Sequence, residues 1–178
     1  MALPLLLYPD PRLRKACAPF EKFDDTLRTL AEEMLQIMTA KRGVGLAGPQ
    51  VGILRRIFVC NPTGQPADAQ VCVNPEILDR VGSAEAEEGC LCMPGVYVPV
   101  RRATRCVIRA YDVEGRPFER SAEGLLARIW QHETDHLDGV LILDRTSTVG
   151  KMAVRSLLRE LEKKHKPTKA SSTSARAM

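Results

Sequence analysis

Histidine is scarce in this chain, with three among 178 residues. Long apolar runs are missing as well, and nothing approaches the roughly 20 consecutive apolar residues a membrane-spanning helix needs. Leu3 to Leu7 is too short for a signal-peptide core, has Pro4 inside it and runs straight into Tyr8-Pro9. The expectation is a cytoplasmic protein with no membrane partner. A glycine-rich stretch, Gly43 to Gly52, lacks the Lys-Ser/Thr ending of a phosphate-binding loop, so no nucleotide cofactor is expected. No internal repeat is present, and the length suits one domain. A chain this long and this well supplied with core residues does not need disulfides, so its six cysteines fit a reduced compartment. Cys60, Cys72 and Cys106 sit in β-like apolar runs and read as core, and Cys17 as structural.

Against that scarcity, two of the three histidines stand four residues apart in His132-Glu133-Thr134-Asp135-His136. Residues i and i+4 share one helix face, so both imidazoles can reach one metal ion. Glu133 lies where its carboxylate can touch a water on that metal, as a general base. Such a pattern also arises by chance on exposed helices. Here Leu125, Ile129, His132 and His136 fall on one stripe, so the pair continues an apolar face and is expected to point inward. The chemistry this suggests is metal-assisted hydrolysis.

A catalytic site of this kind takes three protein ligands and leaves a place for water. Downstream, Gly139 matches the glycine of one metallopeptidase pattern, but Ile142 stands where its third histidine belongs. Glu160 and Glu162 are the glutamates that follow the motif, and they lie in a Lys/Arg-rich segment. Upstream, Glu87 to Gly95 carries Cys90 in a glycine- and proline-bounded strand. A thiolate there would give a Cys-His-His set suited to Zn(II) or Fe(II); otherwise Cys90 is a small buried hydrophobe. Gln50 ends the glycine-rich stretch and offers an uncharged donor.

Taken together, Gly43 to Gln50, then Glu88-Gly89-Cys90-Leu91-Cys92, then Gln131-His132-Glu133-Thr134-Asp135-His136-Leu137 resemble the three motifs of the peptide deformylase family, in order and spacing. Tyr8-Pro9-Asp10-Pro11-Arg12-Leu13 resembles its opening, and the resemblance spans residues 3 to 165. Gly48 replaces the usual Ala, a mild change; Cys92 replaces Ser, keeping size and weakening a hydrogen bond; Met93 replaces a β-branched residue. In a strand, Cys90 and Cys92 would share a face.

The resemblance implies removal of the N-formyl group from N-formyl-methionyl nascent peptides. It implies Cys90, His132 and His136 as ligands of one divalent metal, Fe2+ by preference, with Zn2+, Ni2+ or Co2+ able to substitute. Glu133 would be the base, and Gln50 with the Leu91 N–H would stabilise the oxyanion. Val44, Gly45, Glu88, Gly89 and Ile129 would bind substrate. An HExxH metallopeptidase and a weakened member of the family are the alternatives.

The expected fold is α+β, antiparallel sheets wrapping a central metal-binding helix between an N-terminal and a C-terminal helix. Helices are expected over Phe23 to Lys41 (N-cap Asp24, closed by Gly43), Glu123 to Leu137 (ended by Gly139) and about 150–164, the last with Met152, Val154, Leu157, Leu158 and Leu161 inward. Strands are expected over Leu54 to Cys60, Gln70 to Val73, Glu76 to Val81, Val96 to Val100, Thr104 to Asp112 and Arg116 to Ser121. The catalytic domain would span 1–165, with a disordered tail over 166–178. Residues 151–178 hold eight Lys and Arg against two Glu, although the chain as a whole is only +4. That basic end is a solvated face or a contact for the RNA-rich ribosome surface.

Overall fold

The computed structural model describes residues 3–165, so the tail expected over 166–178 lies outside the described residues. Strands β1 (Gly45–Ala47), β2 (Ile57–Cys60), β3 (Gln70–Val81), β6 (Arg105–Tyr111) and β7 (Pro117–Glu123) form one sheet in the order β1-β2-β3-β6-β7. All its neighbours pair antiparallel. Strands β4 (Ala84–Cys90) and β5 (Met93–Arg102) pair separately as a hairpin. Helix α1 (Asp25–Ala40) precedes β1, and α2 (Gly124–Leu137) follows β7. Three short helices close the described chain: α3 (Ile142–Arg145), α4 (Thr148–Ala153) and α5 (Arg155–Lys164). The expected α+β architecture around one central helix is what forms.

Strand β2 explains why. Its residues Ile57-Phe58-Val59-Cys60 are apolar without interruption and all buried. Successive side chains of a strand point to opposite faces. Phe58 and Cys60 enter the core with Trp130 and Leu137 of α2, while Ile57 and Val59 enter the core with Leu27, Met34 and Met38 of α1. A strand covered on both faces reads as a continuous apolar run. The hairpin instead alternates, with Val96, Val98 and Val100 inward on a third core beside Leu141, Ile142 and Leu143.

Helices α1 and α2 end alike and by different residues. Asp24 caps α1 through its side chain on the Leu27 N–H. At the other end Arg42 takes the left-handed conformation (φ 55). Gly43 N–H then bonds Met38 O and Arg42 N–H bonds Thr39 O, the double bond of a Schellman end. Gly43, expected to close the helix, does so through its N–H, while Arg42 takes the left-handed place. In α2 the same ending uses Gly139 (φ 74).

Other expectations change. The segments 70–73 and 76–81 are one strand with a register shift at Asn74-Pro75. Asn74 (φ 49) bonds the Phe20 backbone through both side-chain polar atoms, which holds the irregularity in place. The C-terminal helix is broken at Val154 into α4 and α5. Val154 is buried and Leu158 and Leu161 pack on the third core, but Met152 and Leu157 are exposed. Leu125, expected on the inward stripe of α2, is exposed too. No helix among the described residues is long and apolar enough to cross a membrane.

Candidate metal centre

From Ile129 to Leu137, every residue of α2 is buried. This places His132, Glu133 and His136 in the interior, with the two imidazole centroids 4.9 Å apart. The turn between β4 and β5 brings up Cys90, whose Sγ lies 3.1 Å from His136 Nε2 and 3.2 Å from Cys92 Sγ. The short 3-10 turn Gly48–Val51 supplies Gln50. Its Oε1 accepts the Ala47 N–H at 2.7 Å, which turns Nε2 towards Cys90 Sγ at 3.3 Å. An amide anchored through its oxygen can only donate on the other side.

The ligand atoms that gather within 4.8 Å of one another belong to Cys90, Cys92 and His136. This cluster differs from the expected trio by holding Cys92 in place of His132. His132 stands beside it, lining the same cleft as Cys90 with its ring 4.9 Å from that of His136. Its Nδ1 is 3.0 Å from Glu88 Oε2. A carboxylate on Nδ1 favours the proton there and leaves Nε2 as the ligating nitrogen, the usual arrangement behind a metal-bound histidine. Thiol and imidazole donors together suit a divalent transition ion. Among the described residues six buried side-chain polar atoms have no hydrogen-bond partner, and two of them, His136 Nδ1 and Glu133 Oε2, belong to this site. Polar atoms are rarely left so; the open Glu133 oxygen at a cleft it shares with Cys90 and His132 fits the water of a bound cation, whereas His136 meets Cys90 through Nε2, so its open Nδ1 points to no ion.

Two carboxylates near the centre are pushed opposite ways. Burial raises Glu133 to about 7, although His132 and Arg102 pull it down. Burial also raises Glu88, but hydrogen bonds from His132 and Arg102 outweigh it and hold Glu88 at about 2. Carboxyls separated in this way have separate roles. The contact with Cys92 and burial push the Cys90 thiol up to about 12; coordination reverses that, because a metal-bound thiol is deprotonated.

A cleft of about 800 Å³ opens above the centre. Cys90, His132, Glu133 and Gln50 line it, together with Val44, Gly45, Glu88, Gly89, Leu91 and Ile129. Thus every expected site residue but His136 meets the same cavity, and His136 lies beneath, fully buried. Glu88, expected to bind substrate, lines the cleft, and its two oxygens are engaged by Arg102, Arg128 and His132. Gly45 is required where it is, since a Cβ would lie 2.2 Å from Glu133 Oε1. Gly48 is not a mild exchange for Ala either. A Cβ there would lie 2.7 Å from the carbonyl oxygens of both Ile53 and Arg55, and backbone cannot swing aside.

Sequence reasoning missed Arg102, Arg128 and Asp135. Arg102 bonds Glu88 at 2.6 and 2.9 Å and Asp135 at 2.8 Å, and is buried. A signal was there. Arg102 continues the inward alternation of Val96, Val98 and Val100, and an arginine at an inward position demands carboxylate partners. Tyr97 and Leu125, exposed at the cleft, carried no such signal.

Comparison with known proteins agrees with this geometry. A family model described as polypeptide deformylase matches residues 2–152. A peptide deformylase of Alkalilimnicola ehrlichii is 48% identical over 160 residues, covering 89% of this chain and 90% of that protein. The crystal structure of a peptide deformylase from Legionella pneumophila superposes with a TM-score of 0.86 at 43% identity, covering 92% of this chain and 96% of the other. One from Plasmodium falciparum gives 0.87 at 35% identity, with 90% and 95% covered.

Proposed function

The chain belongs to the polypeptide deformylase family, and on that premise we propose that Cys90, His132 and His136 hold one divalent metal ion beside Glu133, the base of the reaction. The protein is a metal-dependent hydrolase that removes the N-formyl group from newly synthesised peptides. The observation that carries the residue assignment is the buried, unpartnered Glu133 Oε2 next to the thiol–imidazole cluster.

When bound, the ion supplies a Lewis acid that acidifies water and polarises the formyl oxygen. Glu133 Oε2 accepts the proton of the attacking water and hands it to the leaving amine. Gln50 Nε2, already aimed at Cys90, and the Leu91 N–H donate to the oxygen that becomes anionic. Glu88 fixes the His132 ring. Val44, Gly45, Gly89 and Ile129 shape the cleft for an N-terminal formyl-methionine, whose unbranched side chain suits their apolar surface. Formate and a free amine are the products.

We assign the ion as Fe2+ on the family resemblance, with Zn2+, Ni2+ or Co2+ able to substitute, since a thiolate with imidazoles accepts all four. The test is formate release from formyl-Met-Ala-Ser by anaerobically purified protein, with metal content read on the same sample. Release at one metal per chain supports the assignment. Full loading without formate sinks it. Residues 1–165 would form the catalytic unit, working in the cytoplasm, where six free cysteines stay reduced; finding the native protein in a membrane or secreted fraction would refute the location. A ribosome contact rests on α5, which has no buried residue and carries Arg155, Arg159, Lys163 and Lys164. Removing 151–178 should then weaken ribosome co-sedimentation at low salt, and unchanged co-sedimentation ends that idea.

A further inference from the structure

Cys92 has no part in the reaction just described, yet its sulfur lies 3.2 Å from that of Cys90. No other sulfur–sulfur contact at this distance exists among the described residues, and all six cysteines are free thiols. We propose that Cys92 is a resolving thiol: when a hydroperoxide oxidises Cys90, Cys92 captures it as a reversible Cys90–Cys92 disulfide before further oxidation destroys it.

Access, packing and backbone all bear on this. Cys90 lines the cleft and is half-buried, so a small oxidant in the cleft meets it first. Cys92 is fully buried and packed with Met93, Val96 and Leu141. It is shielded from solvent oxidants and has Cys90 as its reactive neighbour. The sulfurs need to close by about 1 Å to reach the bonding distance of a disulfide. The two residues flank Leu91 at the hairpin turn, where the β4–β5 register already shifts between Gly89 and Cys90. The Tyr8 N–H holds the Cys92 carbonyl at 2.8 Å, so the backbone stays in place and the closure falls to the two cysteine side chains.

The chemistry balances in two steps. The Cys90 thiolate attacks the peroxide O–O bond, giving a sulfenic acid and releasing hydroxide (or alkoxide). The Cys92 sulfur then attacks the sulfenic sulfur, the S–S bond forms, the S–O bond breaks, and water leaves with the Cys92 proton. Two sulfurs are each oxidised by one electron and the two peroxide oxygens are each reduced by one. A dithiol then reduces the disulfide by thiol–disulfide exchange, returning both cysteines as thiols and leaving as its own disulfide. Without a resolving thiol, Cys90 would proceed to sulfinic and sulfonic acids, which ordinary thiols do not restore. If Cys90 is a metal ligand, as proposed above, the disulfide withdraws its thiolate and the ion is released until reduction.

The experiment treats anaerobically purified, metal-loaded protein with a several-fold molar excess of hydrogen peroxide, enough to carry an unprotected thiol to the sulfonic acid. Intact mass, peptide mapping and metal release to a chromogenic chelator are read together, then metal rebinding after dithiothreitol. The expected result is loss of two hydrogens across the Cys90–Cys92 peptide, release of most of the metal, and nearly full rebinding after reduction. Cys92→Ser should instead gain two or three oxygens on Cys90 and recover little metal binding. Gain of oxygens on Cys90 in the unaltered protein, without the disulfide, overturns the proposal, and so does equal recovery by Cys92→Ser. A disulfide with no metal release supports the resolving role and removes Cys90 from the ligand set, so the two readings fail separately.

Discussion

The carboxylates around α2 divide by the side they serve. On the β1 side, Glu133 lies against Gly45 with one oxygen unpartnered. On the hairpin side, Glu88 and Asp135 are saturated: Arg102 bridges the two, Arg128 adds to Glu88, and Arg145 grips Asp135 through two bonds. All three are buried. Burial by itself raises each of them, yet Glu133 rises to about 7 while Glu88 falls to about 2 and Asp135 also falls. Partners, not depth, set the sign. The starved carboxylate is the one able to take a proton near neutral pH, and the saturated pair keeps the histidine and the helix in position.

Removing Glu133 should break the comparison most. Glu133→Gln keeps the shape and loses the base, so turnover should fall roughly 10²–10⁴-fold with metal content unchanged; a near-normal rate would remove Glu133 from the mechanism. The same change should stabilise the metal-free protein. A carboxyl raised from 4.5 to about 7 in the fold penalises folding above pH 7, and the penalty fades as pH falls towards 4.5. Urea unfolding at pH 8 should show a gain of about 1–3 kcal/mol, and a loss there would mean that Glu133 is not destabilised by burial.

Arg102→Met should cost less in rate and most in stability. It leaves two buried carboxylates short of their shared partner, and breaking a buried pair from one side costs about 3–5 kcal/mol. In a chain of this length the melting temperature should drop by roughly 10 °C. A drop of a degree or two would show that Arg128 and Arg145 suffice.

Acid should reveal the same saturation without a mutation. Glu88 is held below its unfolded value, so its contribution is complete above pH 4.5 and is lost as pH falls from 4.5 towards 2. The shift corresponds to about 3 kcal/mol, and Asp135 acts with the same sign. Stability measured by urea between pH 6 and pH 3 should decline on the acid side in the unaltered protein and less steeply in Glu88→Gln. Parallel curves would assign the acid loss to other groups.

What could be read in advance follows the same division. The i, i+4 spacing of His132 and His136 puts the two on one helix face, and the rings do lie 4.9 Å apart; Cys90 was expected beside them from the resemblance, and its sulfur lies 3.1 Å from His136 Nε2. The two-faced burial of β2 was legible because the apolar run is local. The saturated side was not, since Arg102 meets Glu88 fourteen residues away and Asp135 thirty-three away. Only the hairpin register and the docking of α2 make them neighbours. The break at Val154 escaped for a related reason: apolar periodicity runs through it, but the chain must turn there to lay Leu158 and Leu161 on the hairpin core. Gly48 was misjudged because its neighbours, Ile53 O and Arg55 O, belong to a loop no motif describes.

An exposed arginine–carboxylate pair supplies the control for Arg102. Arg109 and Glu119 face each other across β6 and β7 at 3.4 Å, each side chain 54% exposed. The charges match those of the buried network, but water solvates both partners before and after folding. Arg109→Ala should therefore change stability by only about 0–1 kcal/mol, and the effect should shrink in high salt, where surface charges are screened. The Arg102→Met loss should hardly respond to salt, because its partners are shielded from ions. If the two variants lost comparable stability, or if salt relieved the Arg102 loss, the buried network would be behaving as a surface one. The hairpin would then have to be held to α2 by its apolar side alone.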